Sequence, residues 1–294
     1  MSAAVETTET IAAALARSRA ALMAAGVDSA ALDARLLVAA SHGTAVETVI
    51  AWPEKKLSPE ASERLNIMLR RRVAREPMAY ILGRREFWSL DFAVTPATLT
   101  PRPDSETLVA AVLDELADLG AALRLADFGT GTGCLLLALL SEMPAASGTG
   151  IDLDAETIEV ARSNARRLGL ETRARFLQGE WGRALGGPFD LIVSNPPYIA
   201  TEELARLAPE LGYEPRPALD GGADGLAAYR ALIPDAARLL EPGGLLALEI
   251  GAGQASSIEA FLVESGLTPA GRRHDLAGVE RCVLARRSAA TRRK

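Results

Sequence analysis

The sequence predicts an α/β fold: a mostly parallel, doubly wound sheet preceded by a small N-terminal helical bundle and a linking β-hairpin. Three observations predict it. Apolar residues recur at helical spacing up to about residue 75, and the pattern changes period near residue 80. Beyond residue 120, short apolar runs alternate with amphipathic helical stretches, as in a parallel sheet wrapped by helices. Where the first such run meets a helix stands Asp127-Phe128-Gly129-Thr130-Gly131-Thr132-Gly133, whose glycines let backbone approach a ligand and leave helix N–H groups free. The 294 residues, 49% of them hydrophobic, suffice for one large or two ordinary domains of roughly 100 to 200 residues each.

The elements follow in order. Met1 to Thr10 carries Glu6 and Glu9 without a basic cluster, so it does not read as a secretory leader. From Thr10 to about Arg75, positions such as Leu32, Leu36, Leu37 and Ala40 share a helical face, with turn signals at Gly26-Val27-Asp28, His42-Gly43 and Trp52-Pro53. About four or five helices are expected. Arg70, Arg71, Arg72 and Arg75 fall near the end of the last, where cations suit the helix dipole; they read as a solvated basic face or as a contact for RNA or an acidic partner. Glu86 to Leu99 alternates Phe87, Trp88, Leu90, Phe92 and Val94 with other residues, which predicts a hairpin. Asp104 or Ser105 is expected to cap a helix beginning near Glu106. Strands are expected over 123–127, 148–152, 174–178, 190–194 and 245–250, with helices after Gly133, over 155–168 and over 226–240. The divisions are 1–82 for the helical domain, 83–103 for the hairpin linker, 104–286 for the sheet domain and 287–294 for a basic tail, with disorder expected from Arg286 onward.

Composition removes several classes of function. A net charge of −6 and a pI near 5.2 argue against stable nucleic-acid binding. Cys134 and Cys282 alone make neither a disulfide framework nor a zinc site, and no metal is expected. Apolar runs such as Cys134 to Leu140 fall far short of the ~20 residues that span a bilayer, so no membrane association is expected and the cytoplasm is the expected location. His42 and His274, the only histidines, read as surface or capping residues. Cys134, at a helix start where a thiol can be activated, reads instead as a small buried filler.

The chemistry-bearing stretch is Asn195-Pro196-Pro197-Tyr198, directly after the apolar run 190–194. Two prolines stiffen the loop and remove N–H donors, leaving an amide, rigid carbonyls and a phenol at a strand end. A planar NH2 group could donate to the Asn195 oxygen and a backbone carbonyl while stacking on Tyr198. Read alone, the prolines equally well stop a strand and Tyr198 caps a core. The glycine loop departs from the nicotinamide fingerprint, because Cys134 occupies the sixth position and the third glycine comes one residue early. Asp127-Phe128-Gly129 also lacks the catalytic loop a kinase requires. Asp152 lies 23 positions after Gly129 (152 − 129), near the spacing at which a carboxylate takes ribose hydroxyls; its alternative is a cap on the next helix. A nucleoside cofactor beside an amide clamp suits S-adenosyl-L-methionine.

Further segments are Arg75-Glu76-Pro77, Tyr80-Ile81-Leu82-Gly83, Glu86-Phe87-Trp88, Thr100-Pro101-Arg102-Pro103-Asp104-Ser105-Glu106 and Tyr213-Glu214-Pro215-Arg216. Asp220-Gly221-Gly222, Asp224-Gly225-Leu226 and Leu248-Glu249-Ile250-Gly251 follow. With the glycine and Asn-Pro-Pro-Tyr loops, they make the chain resemble, over nearly its whole length, the bacterial glutamine N5-methyltransferases that modify peptide chain release factors. The resemblance implies a class I Rossmann-like S-adenosylmethionine-dependent methyltransferase domain, with the helical domain helping to dock a protein substrate. It implies transfer to the side-chain amide nitrogen of the glutamine in the Gly-Gly-Gln motif of class I release factors, with S-adenosyl-L-homocysteine as product. It also implies roles. Gly129, Thr130, Gly131, Thr132 and Gly133 would cradle the methionine part of the cofactor, Asp152 would hold the ribose, and Trp181 would lie against the adenine. Asn195, Pro196, Pro197 and Tyr198 would bind the glutamine, with Asn195, Pro196 and Tyr198 catalytic and Asn195 also touching the cofactor. Phe128 stands where leucine is usual, and Glu180 replaces the aspartate that would reach the adenine amine. Arg102 and Glu106 read either as groups near the cofactor entrance or as a helix-capping or interdomain pair.

Two other readings compete. The same clamp could grip a flipped adenine or cytosine for amino-group methylation, against which stand the acidic pI and the absence of an evident target-recognition region. A cofactor-binding module without catalysis is the third, disfavoured by the intact loop from Asn195 to Tyr198.

Overall fold

The computed structural model describes residues 9–289, so most of the first ten residues and residues 290–294 of the basic tail lie outside the description. The chain divides into two compact units.

The first unit takes residues up to Gly83 together with Pro209–Tyr213. It holds α1 (Ile11–Ala24), α2 (Ala30–His42), α3 (Val46–Ala51), α4 (Pro59–Val73) and α5 (Met78–Leu82). Thr10 and Ser58 start α1 and α4 by accepting from the amides of Ala13 and Ala61. Glycines in the left-handed region, Gly43 (φ 71°) and Gly83 (φ 69°), end α2 and α5. Ile11, Leu22, Leu37, Val49, Leu65 and Ile81 form the core.

Three of the four arginines of the run are spent on ion pairs within the helical unit. Arg72 is buried and donates to Asp33 at 2.7 Å and to Glu210 at 3.0 Å. Arg75 donates to both oxygens of Glu210 (2.7 and 2.8 Å), and Arg71 grips Glu76. Only Arg70 of the four is left largely to solvent, 4.0 Å from Glu63. Burial pushes the Glu210 carboxyl up, but the hydrogen bonds from Arg75 and Arg72 outweigh it and hold the pKa at about 2. The sequence does not display this ion cluster, because Asp33 and Glu210 lie far from the arginines along the chain.

The second unit begins with the hairpin β1 (Arg84–Phe87) and β2 (Leu90–Ala93). Trp88 (φ 52°) and Ser89 (φ 58°) make its two-residue turn, a left-handed pair that matches strand twist but strains side-chain-bearing residues. The amides of Trp88 and Ser89 are held by Glu106 and Glu86, which offset that strain. After a 3-10 turn at Pro103–Ser105 come α6 (Glu106–Glu115), β3 (Arg124–Phe128), α7 (Cys134–Glu142), β4 (Ser147–Asp152), α8 (Ala155–Arg167), β5 (Ala174–Gln178) and β6 (Phe189–Ser194). Then follow α9 (Ala227–Leu239), β7 (Leu240–Glu249), α10 (Ala255–Glu264), β8 (Leu267–His274) and β9 (Glu280–Arg287).

The seven strands run in the order β5-β4-β3-β6-β7-β9-β8, parallel from β5 to β7 and antiparallel through β9 and β8. Alternation along the strands divides the core. Leu125, Leu191 and Leu245 pack with residues of α6, α7 and α8, whereas Ala126, Ile192 and Leu246 pack with those of α9 and α10. The chain moves outward from β3 to β5 and then returns to place β6 on the other side of β3. That reversal opens a crevice at the carboxyl ends of β3 and β6.

Several expectations are corrected. Ser105 stands at the N-cap of α6, which begins at Glu106 as expected, but makes no side-chain capping bond. β7 starts at Leu240, where it pairs with Phe189, five residues before the expected start at 245. α10, β8 and β9 were not expected. β9 runs to Arg287, so Arg286 and Arg287 are paired strand residues and not a disordered tail.

Candidate active site

At the carboxyl ends of β3, β4 and β6 lies a cavity of about 810 Å³, within the range that holds small molecules. Gly129, Gly131, Asp152, Trp181, Asn195 and Pro197 are in its wall, together with Pro96 to Leu99 and with Pro215, Pro217 and Ala218. Thr130, Thr132, Gly133, Pro196 and Tyr198 do not line it.

The glycine loop is fixed from beneath. Thr130 is buried, donates its hydroxyl to Asp127 at 2.6 Å and its amide to the Ile151 carbonyl at 2.8 Å. Thr132 is buried too, and its carbonyl accepts from the Asn164 amide at 2.9 Å. Gly133 (φ 80°) starts α7. A side chain on Gly131 would point into open space, while one on Gly129 would meet the Trp181 indole at 3.5 Å. Asp127 is fully buried, and burial pushes its carboxyl up to about 7 against the Thr130 hydrogen bond. Cys134 is raised to about 12, again chiefly by burial, so it is no activated thiol.

Asp152 is not the helix cap; Asp154 is, accepting from the amides of Glu156 and Thr157. The Asp152 carboxylate instead accepts from Gly131 N at 3.0 Å and Asp154 N at 3.3 Å, which ties the end of β4 to the glycine loop. Burial raises its pKa, and those amides oppose the rise.

The Asn-Pro-Pro-Tyr loop leaves β6, whose last residue, Ser194, donates to the Phe128 carbonyl at 2.7 Å. Asn195 Nδ2 donates to Ser105 Oγ at 3.2 Å, so its Oδ1 is the free acceptor. Gly221 lies so close to Pro197 that a Cβ would meet its carbonyl at 2.8 Å, and Gly221 N donates to Ile199. The two glycine motifs after residue 219 thus let one backbone segment press against another. Tyr198 packs on the α9 side of the core, as the plain core-capping alternative had it, and burial pushes its phenol up to about 12. Its carbonyl accepts from Gln254 at 3.0 Å.

Comparison with known proteins fits this layout. Residues 13–83 match the PrmC N-terminal domain model and residues 104–211 the methyltransferase small domain model. The release factor glutamine methyltransferase of Rhodospirillum rubrum is 48% identical over 270 residues, covering 92% of this chain and 82% of the relative. The chain belongs to the release factor glutamine methyltransferase family. The family's Caulobacter vibrioides protein is 46% identical over 88% of this chain and 90% of its own. A crystal structure of a methyltransferase from Pyrococcus furiosus superposes with a TM-score of 0.52 at 19% identity, covering 78% of this chain and 99% of that one, and so shares the Rossmann-like fold.

Within this family chain, the other residues singled out are placed as follows. Trp181 sits at φ 47°, a strained position for a side-chain-bearing residue, with its ring across Gly129. Glu180 lines the cavity, but its carboxylate is paired with Arg183. Arg102 donates to buried Glu214 at 2.7 Å inside the sheet unit, so it is neither a helix cap nor an interdomain pair, and Glu106 serves the hairpin turn. The sequence pointed to Ser105 only as a helix cap and to Glu249 and Gln254 not at all as site residues. The signal for Glu249 was an acid in the otherwise apolar strand from 245 to 250. Among the described residues, no three His, Cys, Asp or Glu gather as a metal site, and no helix is long and apolar enough to cross a membrane.

Proposed function

We propose that the protein transfers a methyl group from S-adenosyl-L-methionine to the side-chain amide nitrogen of the glutamine in the Gly-Gly-Gln motif of class I release factors. The observation that carries the reading is one cavity wall formed by a glycine turn, a carboxylate and the amide of Asn195, in a chain of this family. The donor set fits the cofactor: Asp152 can accept from ribose hydroxyls, open space above Gly131 admits the methionine part, and Trp181 offers a flat face to the adenine. Thr130, Thr132 and Gly133 act from beneath by fixing the loop. Asn195 Oδ1 and the Pro196 carbonyl hold the glutamine NH2, with Tyr198 backing the loop and Pro197 closing the wall.

An amide nitrogen is a poor nucleophile, because its lone pair is shared with the carbonyl, the resonance behind a rotation barrier of about 18 to 20 kcal/mol. Acceptors out of the amide plane draw its N–H groups toward tetrahedral geometry and free the lone pair. When bound, the sulfonium would supply an electrophilic methyl group, lost from sulfur as the amide nitrogen gains it, and Asn195, a carbonyl or water would take the proton from the resulting N-methylated, N-protonated amide. Positioning then carries most of the catalysis and can contribute several kcal/mol. S-Adenosyl-L-homocysteine leaves, no metal takes part, and the protein works in the cytoplasm during translation termination. The helical unit contributes to docking the release factor.

The test is incubation of purified protein with labelled S-adenosylmethionine and, separately, a release factor, its Gln-substituted variant and duplex DNA. Label on the motif glutamine alone is the expected result, located by mass spectrometry. Label on DNA and not on the release factor would establish the nucleobase reading instead.

A further inference from the structure

Asn195 is backed by two polar side chains shut away from water. Ser105 is 3% exposed and accepts the Asn195 Nδ2 hydrogen bond. Glu249, at the end of β7, is 1% exposed; Leu248 pairs with Ser194, which sets Glu249 beside Asn195 on the neighbouring strand, and the hydroxyls of Ser105 and Tyr198 oppose the rise of its pKa. One oxygen, Oε2, has no hydrogen-bond partner. The Tyr229 hydroxyl fixes the backbone there, donating to the Glu249 carbonyl at 2.8 Å. A carboxyl this deep without an ion-pair partner opposes folding, and an apolar residue would be more stable in its place. Its position directly behind the amide clamp points to a role in the reaction.

We propose that Glu249 and Ser105 form a positioning relay that sets which end of the Asn195 amide faces the cavity; the proposal rests on the methyl-transfer reading above. A serine hydroxyl has one hydrogen. When Glu249 is ionised, that hydrogen goes to the carboxylate, and Ser105 presents only lone pairs to Asn195. Only Nδ2 can then face Ser105, and Oδ1 is turned toward the substrate NH2. When Glu249 is protonated, its own O–H can donate to Ser105, whose hydrogen is released toward Asn195. The flipped amide becomes available and would set donor against donor.

The groups around Glu249 leave this switch to it. Arg281 is divided between Asp104 (3.1 Å) and Asp275 (2.9 Å) and makes no ion pair with Glu249. Cys282 faces it from β9, Cys134 from α7 and Tyr229 from α9, each raised by burial and by the Glu249 charge, and so neutral at ordinary pH. Burial pushes Glu249 up to about 7, with Ser105 and Arg281 opposing and Asp104 adding to the rise. The competent, ionised form therefore gains population as pH rises through neutrality.

Two measurements test the relay. The chain has three asparagines, Asn66, Asn164 and Asn195, so ¹⁵N-asparagine labelling gives a readily assigned set of side-chain amides. In the protein without substrate, the Asn195 NH2 signal should titrate near pH 7 and stop doing so in Glu249→Gln; a pH-independent signal in the native protein overturns the relay, whatever the enzyme's substrate. In steady-state assays on a release factor between pH 6 and 9, native kcat should rise with pH. Glu249→Gln and Ser105→Ala should each lower kcat about 10-fold or more, with both KM values within about twofold and the acidic limb gone. The double variant should be no worse than the poorer single one. Retention of the limb in Glu249→Gln, or a loss confined to KM, overturns the relay. A native protein that leaves the release factor unlabelled refutes the methyl-transfer reading, while the amide titration still decides the relay. Melting curves verify folding, and Ser105→Ala gives an independent readout should Glu249→Gln be unstable.

Discussion

Asn195 and Asp152 show how one polar atom can belong to both the fold and the site. Asn195 spends Nδ2 on Ser105 and keeps Oδ1 for the cavity. Replacing it with Ala should lower methyl transfer at least about 100-fold, by loss of positioning, while calorimetric titration with the cofactor changes little. Asp152→Asn should do the reverse. It removes a charged acceptor, worth about 1.5 to 3 kcal/mol, and should weaken cofactor binding about 10-fold or more in the same titration. Both residues were readable from the sequence because each stands at a strand end beside an unusual local pattern. Ser105 and Glu249 were not, since each makes sense only beside partners brought from 90 and 51 positions away along the chain (195 − 105 and 249 − 198). Asp154 also took the capping role that could have been assigned to Asp152, a choice two residues apart that only the backbone geometry makes.

The parallel strands were the most readable elements, because burial on both faces makes β3 and β6 largely apolar runs. β4 adds glycine at positions where neighbours leave no room. A Cβ on Gly150 would meet Thr130 Oγ1 at 2.6 Å and the Phe176 ring at 2.7 Å. Gly150→Val should therefore destabilise the protein by about 1 to 3 kcal/mol and displace the glycine loop, lowering both the melting temperature and the cofactor affinity. The antiparallel end of the sheet was unreadable for a different reason. β8 and β9 carry charges, Arg272 among them, and Arg272 is neutralised by Glu259 from α10 and Glu280 from β9. Polar residues that are satisfied across elements look like a loop or a tail when read along the chain.

Across the whole molecule, buried carboxyls set the response to pH. Asp127 and Glu249 are both raised to about 7 by burial, from ordinary values of 3.8 and 4.5. Between those limits the folded protein binds more protons than the unfolded chain, so stability is greatest on the acid side of the window and falls as pH rises through 7. Glu210 works in the opposite direction in a separate window. Its pKa is lowered to about 2, so its contribution is present above about 4.5 and is lost only in strong acid. The melting temperature should fall between pH 5 and 8, and Glu249→Gln should flatten that fall. The relay proposed above would thus trade folding stability for activity over the same pH interval. Glu210 also bears on how such a protein can be taken apart. The chain leaves the sheet unit after Ala208, spends five residues in the helical unit and re-enters at Glu214. A gene cut after residue 83 would therefore yield two incomplete products: one with Arg75 deprived of its carboxylate and Arg72 left with Asp33 alone, the other with a stranded loop. Recombination that exchanges the helical unit between relatives must carry Pro209–Tyr213 with it, as two crossovers rather than one.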